Sequence, residues 1–387
     1  MRIIIVSRIY RPEPAAASLF LGAVSDNLVA RGHDVRVLTV KPPHDLRRQK
    51  VGRETVSEFP VLRDKSGYVR GYLQYMSFDI PLFFRLLFAK RADVVLVEPP
   101  PTTGVMVRLV CAIRRIPYVY DAADIWSDAV AQVTSNKLVP RVLRAIEKFA
   151  LRGAKSFVTI SQGVVERLAV LAPGKPVKVT GFGANTEDFN YKETATDQVF
   201  VYPGTYSEVH GAAILVPAFA QVVTAFPTAR LRFIGNGSER ETIEMATQKL
   251  GISKSVDFID PVLPHELNEH LTSATASLAT LLPDNGYEYA FTSKIYSSMA
   301  AGCPIIFAGP GPTGDFIREN SSEAPIGVET EYAADKIAAA MIQFLRKPHS
   351  AAERQRLASW TAENHSMQAV ASRVADELEK VNSEKTC

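Results

Sequence analysis

Short apolar runs alternate with amphipathic segments along most of this chain, and this alternation limits the possible folds more than any other feature. The β-branched runs 2–7 and 35–40 enclose the segment 18–31, whose apolar residues follow helical spacing before Gly32. Runs of this kind are typical of strands buried on both faces of a parallel sheet, and glycine commonly ends a helix. The pattern therefore predicts an α/β fold with doubly wound parallel sheets.

The alternation starts again in the second half of the chain, which predicts a second domain of the same kind. Strand-like runs recur up to residues 304–307, whereas the polar segment 186–197 has no periodic signal and is the predicted linker. We predict a first domain at 1–190, a second at 191–362 and a terminal segment at 363–387. Ligands bind at the carboxyl ends of parallel strands, so we expect two Rossmann-like domains facing one central cleft.

Composition excludes several classes of protein. The 387 residues include 44 basic and 41 acidic side chains, a balance too even to predict a nucleic-acid partner. Three cysteines without a pairing framework indicate a reducing compartment, and no apolar run reaches the ~18 residues that span a membrane. The seven histidines show no metal-ligand spacing. We therefore expect a cytoplasmic enzyme without a metal site.

Two segments of the first domain carry polar chemistry at predicted strand ends. Residues 9–18 join the first strand to the first helix, and their small side chains let a ligand approach the helix start, where anions bind. A plain connecting loop is the alternative. Residues 120–128 place three carboxylates and Trp126 at a strand end, where they can orient sugar hydroxyls or transfer protons. Helix capping by Asp124 or Asp128 is the alternative.

Two segments of the second domain are candidates for phosphate binding. Residues 233–239 (FIGNGSE) form a glycine turn between a predicted strand and helix, a weak signal when taken alone. In 285–304, Ser293 is the predicted N-cap of a helix whose first N–H groups bind phosphate, with Lys294 adding a charge-assisted contact. The alternative is an ordinary surface helix with a solvated lysine.

At these residues the chain resembles the retaining GT-B glycosyltransferases of family 4, and among them the branch that builds bacterial surface polysaccharides (N-acetylfucosamine transferase-like). The resemblance covers nearly the whole chain, and its last motif is the most specific. The matching segments are Pro12-Glu13-Pro14 with Ser18, Leu28-x-x-Arg31-Gly32-His33-Asp34-Val35, Asp124-Ile125-Trp126, Ile160-Ser161-x-Gly163, Phe233-Ile234-Gly235-x-Gly237 and Ser293-Lys294-Ile295-Tyr296-x-x-Met299-Ala300-Ala301-Gly302-x-Pro304.

The resemblance implies a GT-B fold with a nucleotide-sugar donor, expected to be a UDP-sugar, held mainly by the second domain without a cofactor or metal. It also implies a glycan or lipid-linked acceptor and a terminal helix that crosses back onto the first domain. The implied catalytic residues are Asp124 and His210. The implied donor-binding residues are Ala16, Gly204, Gly235, Gly237, Pro261, Val262, Glu288, Thr292, Ser293, Lys294, Ile295 and Ser297.

The chain also departs from the family pattern. Ser297 stands where the family has an acidic residue that grips the ribose, and its partner position falls on Tyr289, next to Glu288. The Arg/Lys pair after the first strand of the second domain is absent, which leaves His210 as the candidate cation there. A sugar-nucleotide epimerase and a non-catalytic partner subunit therefore stay open as alternatives.

A membrane surface is a further possible partner. The segment 81–91 (PLFFRLLFAKR) is a predicted basic, apolar helix, and basic residues at 114–115 and 141–152 add charge to the first domain. Anionic lipid attracts such a face. We expect a protein that sits peripherally at the inner face of the cell membrane.

Overall fold

The computed structural model describes residues 1–13, 15–43, 46, 52–64, 67, 69, 71–133 and 138–384. The chain forms two compact units, one from residues 1–181 with 367–387 and the other from residues 182–366. Both units are α/β structures with parallel sheets, as the alternation in the sequence predicts. Each unit is described below by itself.

All strands described in the first unit belong to one parallel sheet in the order β3-β2-β1-β4-β5-β6-β7. Their bounds are β1 Arg2–Val6, β2 Asp34–Val40, β3 Thr55–Phe59, β4 Val94–Val97, β5 Tyr118–Ala122, β6 Ser156–Thr159 and β7 Val177–Val179. In the central strands β1, β4 and β5 nearly every side chain is buried, because helices cover both faces of the sheet.

The second unit holds a six-stranded parallel sheet in the order β10-β9-β8-β11-β12-β13. Its strands are β8 Val199–Pro203, β9 Arg230–Ile234, β10 Val256–Ile259, β11 Ala276–Thr280, β12 Ile305–Ala308 and β13 Gly327–Thr330. The order reverses direction between β8 and β11, and ligands of such sheets bind at the carboxyl ends beside this point.

The helices lie between the strands. They are α1 Ala16–Ala30, α2 Tyr72–Leu87, α3 Pro101–Arg114, α4 Trp126–Val133, α5 Leu138–Gly153, α6 Gln162–Leu171, α7 Leu215–Ala225, α8 Arg240–Lys249, α9 Pro264–Ser273, α10 Lys294–Ala300, α11 Pro312–Asn320, α12 Ala334–Arg346, α13 Ala351–His365 and α14 Met367–Ser383. None of the described helices is long and apolar enough to cross a bilayer.

Helix α14 belongs to the first unit although it follows the second unit in the chain. Its apolar face packs against α1, with Val370, Val374 and Leu378 fully buried. At one end of α1, Arg31 lies 2.6 Å from Asp376, and His33 lies 2.8 Å from Glu379. The apolar contact, the Arg31 ion pair and the hydrogen bond of His33 together hold α14 in the first unit.

The observed units divide the chain at residue 181, nine residues before the predicted boundary at 190. The intervening residues lie on the second unit because their aromatic side chains have partners there. Phe182 and Phe189 pack against the buried cluster that contains Ile295 and Leu357, and Ala184 pairs with Ser366. Apolar packing, which a polar sequence pattern does not show, decides where these residues belong.

Candidate active site

Two loops of the second unit, after β8 and β9, are in direct backbone contact. The Gly204 N–H donates to the Ile234 carbonyl over 2.7 Å, and the Tyr206 hydroxyl donates to the Gly235 carbonyl over 3.0 Å. A Cβ atom on Gly235 would lie 2.3 Å from the Gly204 oxygen, and one on Gly237 would lie 1.8 Å from the Tyr206 oxygen. These glycines let the two loops pack together, a role the bare motif does not reveal.

Lys294, the first residue of α10, reaches toward the β8 loop. Its Nζ donates to the Thr205 carbonyl over 3.1 Å and lies 4.0 Å from the centre of the Tyr202 ring. Burial lowers the pKa of this ammonium to about 7. The alternative of a solvated lysine is therefore wrong, because protein groups hold the ammonium at the carboxyl end of β8.

His210 lies in the β8 loop, close enough to Lys294 for the charge of that ammonium to act on it. Burial, followed by the repulsion of that ammonium, lowers the pKa of His210 to about 4. Its Nδ1 lies 2.8 Å from the Ser207 hydroxyl and 3.4 Å from the Ser207 backbone nitrogen. Because an N–H can only donate, Nδ1 is the acceptor and Nε2 carries the proton. His210 is neutral at neutral pH, so the expectation of a cation at this position is wrong.

The start of α10 differs from the prediction in one respect. Ser293 stands at the N-cap position, but its side chain forms no capping hydrogen bond because its backbone is already helical. The predicted side-chain cap is therefore wrong. The Thr292 N–H donates to the Thr313 hydroxyl over 2.9 Å, Ile295 is buried in the core, and Ser297 is half-buried. The Ile295 N–H donates to the Thr292 carbonyl over 3.3 Å, so it is already engaged within the protein.

Glu288 holds together the turn that precedes this helix. Its Oε1 accepts the backbone N–H groups of Asn285, over 2.8 Å, and Gly286, over 3.0 Å. Burial raises the pKa of the Glu288 carboxyl, but the backbone donors outweigh it and lower the pKa below its ordinary value. The carboxylate is therefore ionised and partly engaged within its own loop.

The loop after β10 contains the two predicted base-contacting residues. Pro261 is exposed, whereas the side chain of Val262 packs partly against the core beside Ile259. The preceding carboxylate, Asp260, lies 2.5 Å from Arg240 of α8, which connects this loop to the helix after the glycine turn. An exposed proline beside a fixed backbone offers a surface on which a planar ring can lie.

In the first unit, acidic groups meet at the carboxyl ends of β4 and β5. Glu98 accepts the Ser7 hydroxyl over 3.0 Å, and burial raises the pKa of Glu98 to about 7. Burial, followed by repulsion from Glu98 and Asp124, raises the pKa of Asp121 well above its ordinary range. Asp124, the predicted catalytic residue, is exposed beside the half-buried Glu98 and the buried Asp121. These groups can accept hydrogen bonds from a polyol and can hold a proton near neutral pH.

The capping alternative is wrong for Asp128. Glu147 accepts the N–H groups of Trp126 and Ser127, so this buried carboxylate satisfies the first turn of α4. Asp128 instead lies 2.9 Å from Arg144 and 2.6 Å from Arg167. Asp128 has a structural role, since both of its carboxylate oxygens pair with arginines.

An aromatic pair lies near the same strand ends. Tyr75 of α2 contacts Trp126 edge to face, with 6.3 Å between ring centres. The buried Arg8 guanidinium stacks 4.1 Å above the Tyr75 ring and donates to the Val69 carbonyl. Aromatic faces beside polar groups are typical of carbohydrate sites. The sequence analysis missed Arg8, Tyr75 and Glu98, although Glu98 follows a buried strand and was detectable on that ground.

The structure thus brings most of the predicted donor residues into one unit. Gly204, Gly235, Gly237, His210 and Lys294 lie together at the carboxyl ends of β8 and β9. The predicted Ala16, an exposed residue at the start of α1, and Asp124 lie in the other unit. Within the described residues, no group of three or more His, Cys, Asp or Glu side chains is arranged to hold a metal.

Comparison with known families identifies both units. The family described as glycosyl transferase 4-like domain matches residues 18–183, and the family described as glycosyl transferases group 1 matches residues 184–362. The two matches are contiguous and leave out only the ends of the chain. The chain belongs to the glycosyltransferases, with one characteristic domain in each half. No curated protein sequence matches it significantly.

Solved structures agree on the fold. Sucrose-phosphate synthase from Thermosynechococcus elongatus is 16% identical, with a TM-score of 0.73 and 99% of each chain covered. Anabaena HepE, solved with UDP and glucose, is 17% identical, with a TM-score of 0.70 over 98% of this chain and 100% of that one. WaaG, a glycosyltransferase of lipopolysaccharide biosynthesis, is 16% identical, with a TM-score of 0.65 over 97% and 99%. At these identities the likeness establishes the two-domain GT-B fold.

Proposed function

We propose that this glycosyltransferase moves a sugar, with retention, from a UDP-sugar to a glycan or lipid-linked acceptor in the synthesis of cell-envelope polysaccharide or glycoconjugate. The observation that carries the proposal is the Lys294 ammonium, held at the carboxyl end of β8 beside the neutral His210. A diphosphate is the part of such a donor that needs a cation in this position. The bound UDP of HepE and the lipopolysaccharide role of WaaG support the choice of donor and pathway.

In this proposal the second unit binds the donor. Lys294 neutralises the diphosphate, helped by the backbone N–H groups of Ser293 and Lys294 at the start of α10, so that no metal is needed. The exposed Pro261 and the backbone of Val262 contact the base, while Glu288 and Ser297 face the ribose. The neutral His210 donates a hydrogen bond from its Nε2–H to the sugar or to the leaving phosphate. Gly204, Gly235 and Gly237 keep the backbone near the nucleotide.

The first unit would bind the acceptor. Asp124, with the half-buried Glu98 and the buried Asp121, would accept hydrogen bonds from acceptor hydroxyls, and Tyr75 with Trp126 would offer an aromatic surface. Ala16, at the exposed start of α1, would approach the donor sugar. Positioning of the acceptor hydroxyl and stabilisation of the departing diphosphate would then supply the rate enhancement without a covalent intermediate.

A membrane surface is the third part of the proposal. The adjoining helices α2, α3 and α5 expose apolar side chains between basic ones: Leu73, Ile80, Phe84, Phe88, Ile113, Leu138 and Val142. Lys90, Arg91, Arg115 and Arg141 are exposed on the same elements or at their ends. Arg85 is not available to lipid, because it bonds to the Thr39 and Ser57 carbonyls. The remaining mixture suits an anionic bilayer surface.

The test is a survey of UDP-sugars by calorimetry and turnover, with the anomeric configuration of any product read by NMR. Binding of UDP, transfer to an added acceptor with retained configuration, and activity in EDTA are the expected results. Epimerisation of the donor without acceptor would support the epimerase instead. Absence of any nucleotide binding would favour a non-catalytic partner subunit and contradict the proposal.

A further inference from the structure

The base of the first sheet, at the amino ends of β1, β2 and β3, holds a cavity of about 120 Å³. It lies at the opposite end of the strands from the acidic and aromatic groups described above. Its lining residues carry three positive charges and one negative charge. They are Arg2, Ile4, Asp34, Arg36, Thr55 and Lys90.

Arg36 is the least compensated of these charges. Its Nε is buried and has no hydrogen-bond partner within the described part of the chain. The Arg85 guanidinium approaches from α2, and burial together with the charge of Arg36 lowers the pKa of Arg85 to about 10. Two like charges that are partly withdrawn from water repel each other, so an anion placed beside them would be stabilised.

The acidic groups at this edge are directed at Arg2 rather than at Arg36. The Asp34 carboxylate lies 3.1 Å from the Arg2 Nε, and Asp93 accepts the backbone N–H of Arg2 over 2.7 Å. Lys90 is exposed at the rim of the cavity, and among the described residues it forms no ion pair with either acid. Arg36 and Lys90 are thus left to attract an anion from outside the chain.

The cavity is large enough and is placed beside apolar surface. By the same measure one water molecule needs about 10–15 Å³, so there is room for a tetrahedral oxyanion. Lys90 follows the end of α2, where the exposed fractions of Phe84 and Phe88 are 54% and 79%. A cationic cavity next to exposed aromatic rings matches a phospholipid, whose phosphate and acyl chains need these two surfaces.

We infer that this cavity is a second phosphate-binding site, in which Arg36 and Lys90 hold a phosphate group separate from any donor diphosphate. The same chemistry is offered by free phosphate and by a lipid headgroup. The site is independent of the proposed donor chemistry, because it lies in the first unit and contains none of the donor residues.

The test titrates the full chain with inorganic phosphate at low ionic strength, in a Lys294→Ala background so that a contact at that lysine is not counted. Arg36→Gln and Lys90→Gln should each weaken phosphate binding about tenfold, the size expected for a charge-assisted hydrogen bond. Lys178→Gln is the matched control, since Lys178 is exposed on β7 of the same sheet. No phosphate binding, or equal binding by all three variants, would overturn the inference.

A second arm identifies the source of the phosphate by flotation with phosphatidylcholine vesicles, with and without phosphatidylglycerol. If the group belongs to a lipid, Arg36→Gln and Lys90→Gln lower the floated fraction relative to Lys178→Gln, and inorganic phosphate competes. Lost phosphate binding with unchanged flotation would support the site and assign it to a soluble phosphate. Because Lys90 is exposed, Lys90→Gln keeps the test valid even if Arg36→Gln folds poorly.

Discussion

In the proposed function, Lys294 is the residue on which donor binding would depend most. Its ammonium already has one acceptor, Thr205, and an aromatic face, Tyr202, so it is ordered before any ligand arrives. An ordered cation loses less side-chain entropy on binding than a solvated lysine does. In that proposal, the absence of the family's Arg/Lys pair would leave this ammonium with a larger share of the diphosphate charge.

Removal of that cation should weaken donor binding. We expect Lys294→Ala to lower UDP affinity by about 1.5–3 kcal/mol, the range for a hydrogen bond to a charged group. Calorimetry against Lys254→Ala, an exposed lysine in the same unit, is the measurement. Equal affinities in the two variants would mean that the diphosphate binds elsewhere.

Donor affinity should also depend on pH. In the free protein the pKa of Lys294 is about 7, and a bound diphosphate raises it because the anion favours the charged form. Binding then takes up a proton between pH 7 and the higher pKa of the complex, so affinity falls as pH rises above about 7. Calorimetry in buffers of different ionisation heat measures this uptake. Lys294→Ala should abolish it, and uptake that persists in the variant would point to another group.

At the scale of the element, the glycine-bearing loops after β8 and β9 are where the structure departs most from the role that the sequence predicts. Gly237 faces the Tyr206 backbone rather than open space, which a motif of three residues cannot show. The contact joins loops that are some thirty residues apart in the chain. The glycines of the motif are therefore needed first for the close packing of the two loops. Their proximity to a nucleotide is a second role.

Substitution can separate these two roles. In Gly237→Ala the new Cβ meets the Tyr206 oxygen, and overpacking of this kind costs about 1–3 kcal/mol. We expect a lower melting temperature without any nucleotide, together with weaker UDP binding. Gly251→Ala is the control, since Gly251 has a φ of +71° but open space around it, so stability alone should fall. If Gly237→Ala kept the melting temperature of the parent and lost only UDP binding, the role of the glycine would be to make room for the nucleotide.

The exposed aromatic rings of α2 give a second prediction at this scale. Replacing Phe84 and Phe88 together by Ser removes apolar surface and leaves every charge in place. We expect less flotation with anionic vesicles and, because both rings are largely exposed, an unchanged melting temperature. The same double substitution at Met245 and Leu250, exposed apolar residues of the second unit, is the control. If the Phe84 and Phe88 variant floated as much as the control variant and the parent protein, α2 would not belong to the membrane-binding surface.

Elements differ in how well the sequence predicts them, and burial explains the difference. The central strands were predictable because their β-branched runs are buried on both faces. Strand β3, Thr55–Phe59, was missed because it is an edge strand with mixed exposure and an acidic residue inside it. The position of Lys294 was predictable from its motif, but its contact with Thr205 joins residues 89 positions apart. Local patterns do not encode such long-range contacts.

At the scale of the whole molecule, the first unit is built from two separate stretches of the chain. Residues 182–366 form the second unit and interrupt the first, which α14 completes by covering α1. Burying a Val or Leu side chain contributes about 1.5–3 kcal/mol, so the face of α14 rivals the ~5–15 kcal/mol that stabilises a typical protein. We therefore expect the stability of the first unit to depend on α14.

Truncation after Ser366 tests this dependence. We expect calorimetry to show that the melting transition of the first unit is lost or lowered strongly, while that of the second unit, which keeps all its elements, is unchanged. A milder variant, Leu378→Ala, should lower the same transition by about 2–5 kcal/mol. If truncation left both transitions in place, α14 would be dispensable for the first unit.

The discontinuity of the first unit also sets an order of events on the ribosome. When residue 181 leaves the exit tunnel, the first sheet has all of its strands, but α1 still lacks its cover. The residues 182–366, about 185 in number, must then leave the tunnel before α14 does, which takes on the order of 10–40 s at ~5–20 residues per second. During that interval the second unit can fold while the apolar face of α1 stays open. A nascent chain of this kind is a natural client for chaperones that bind exposed apolar helices.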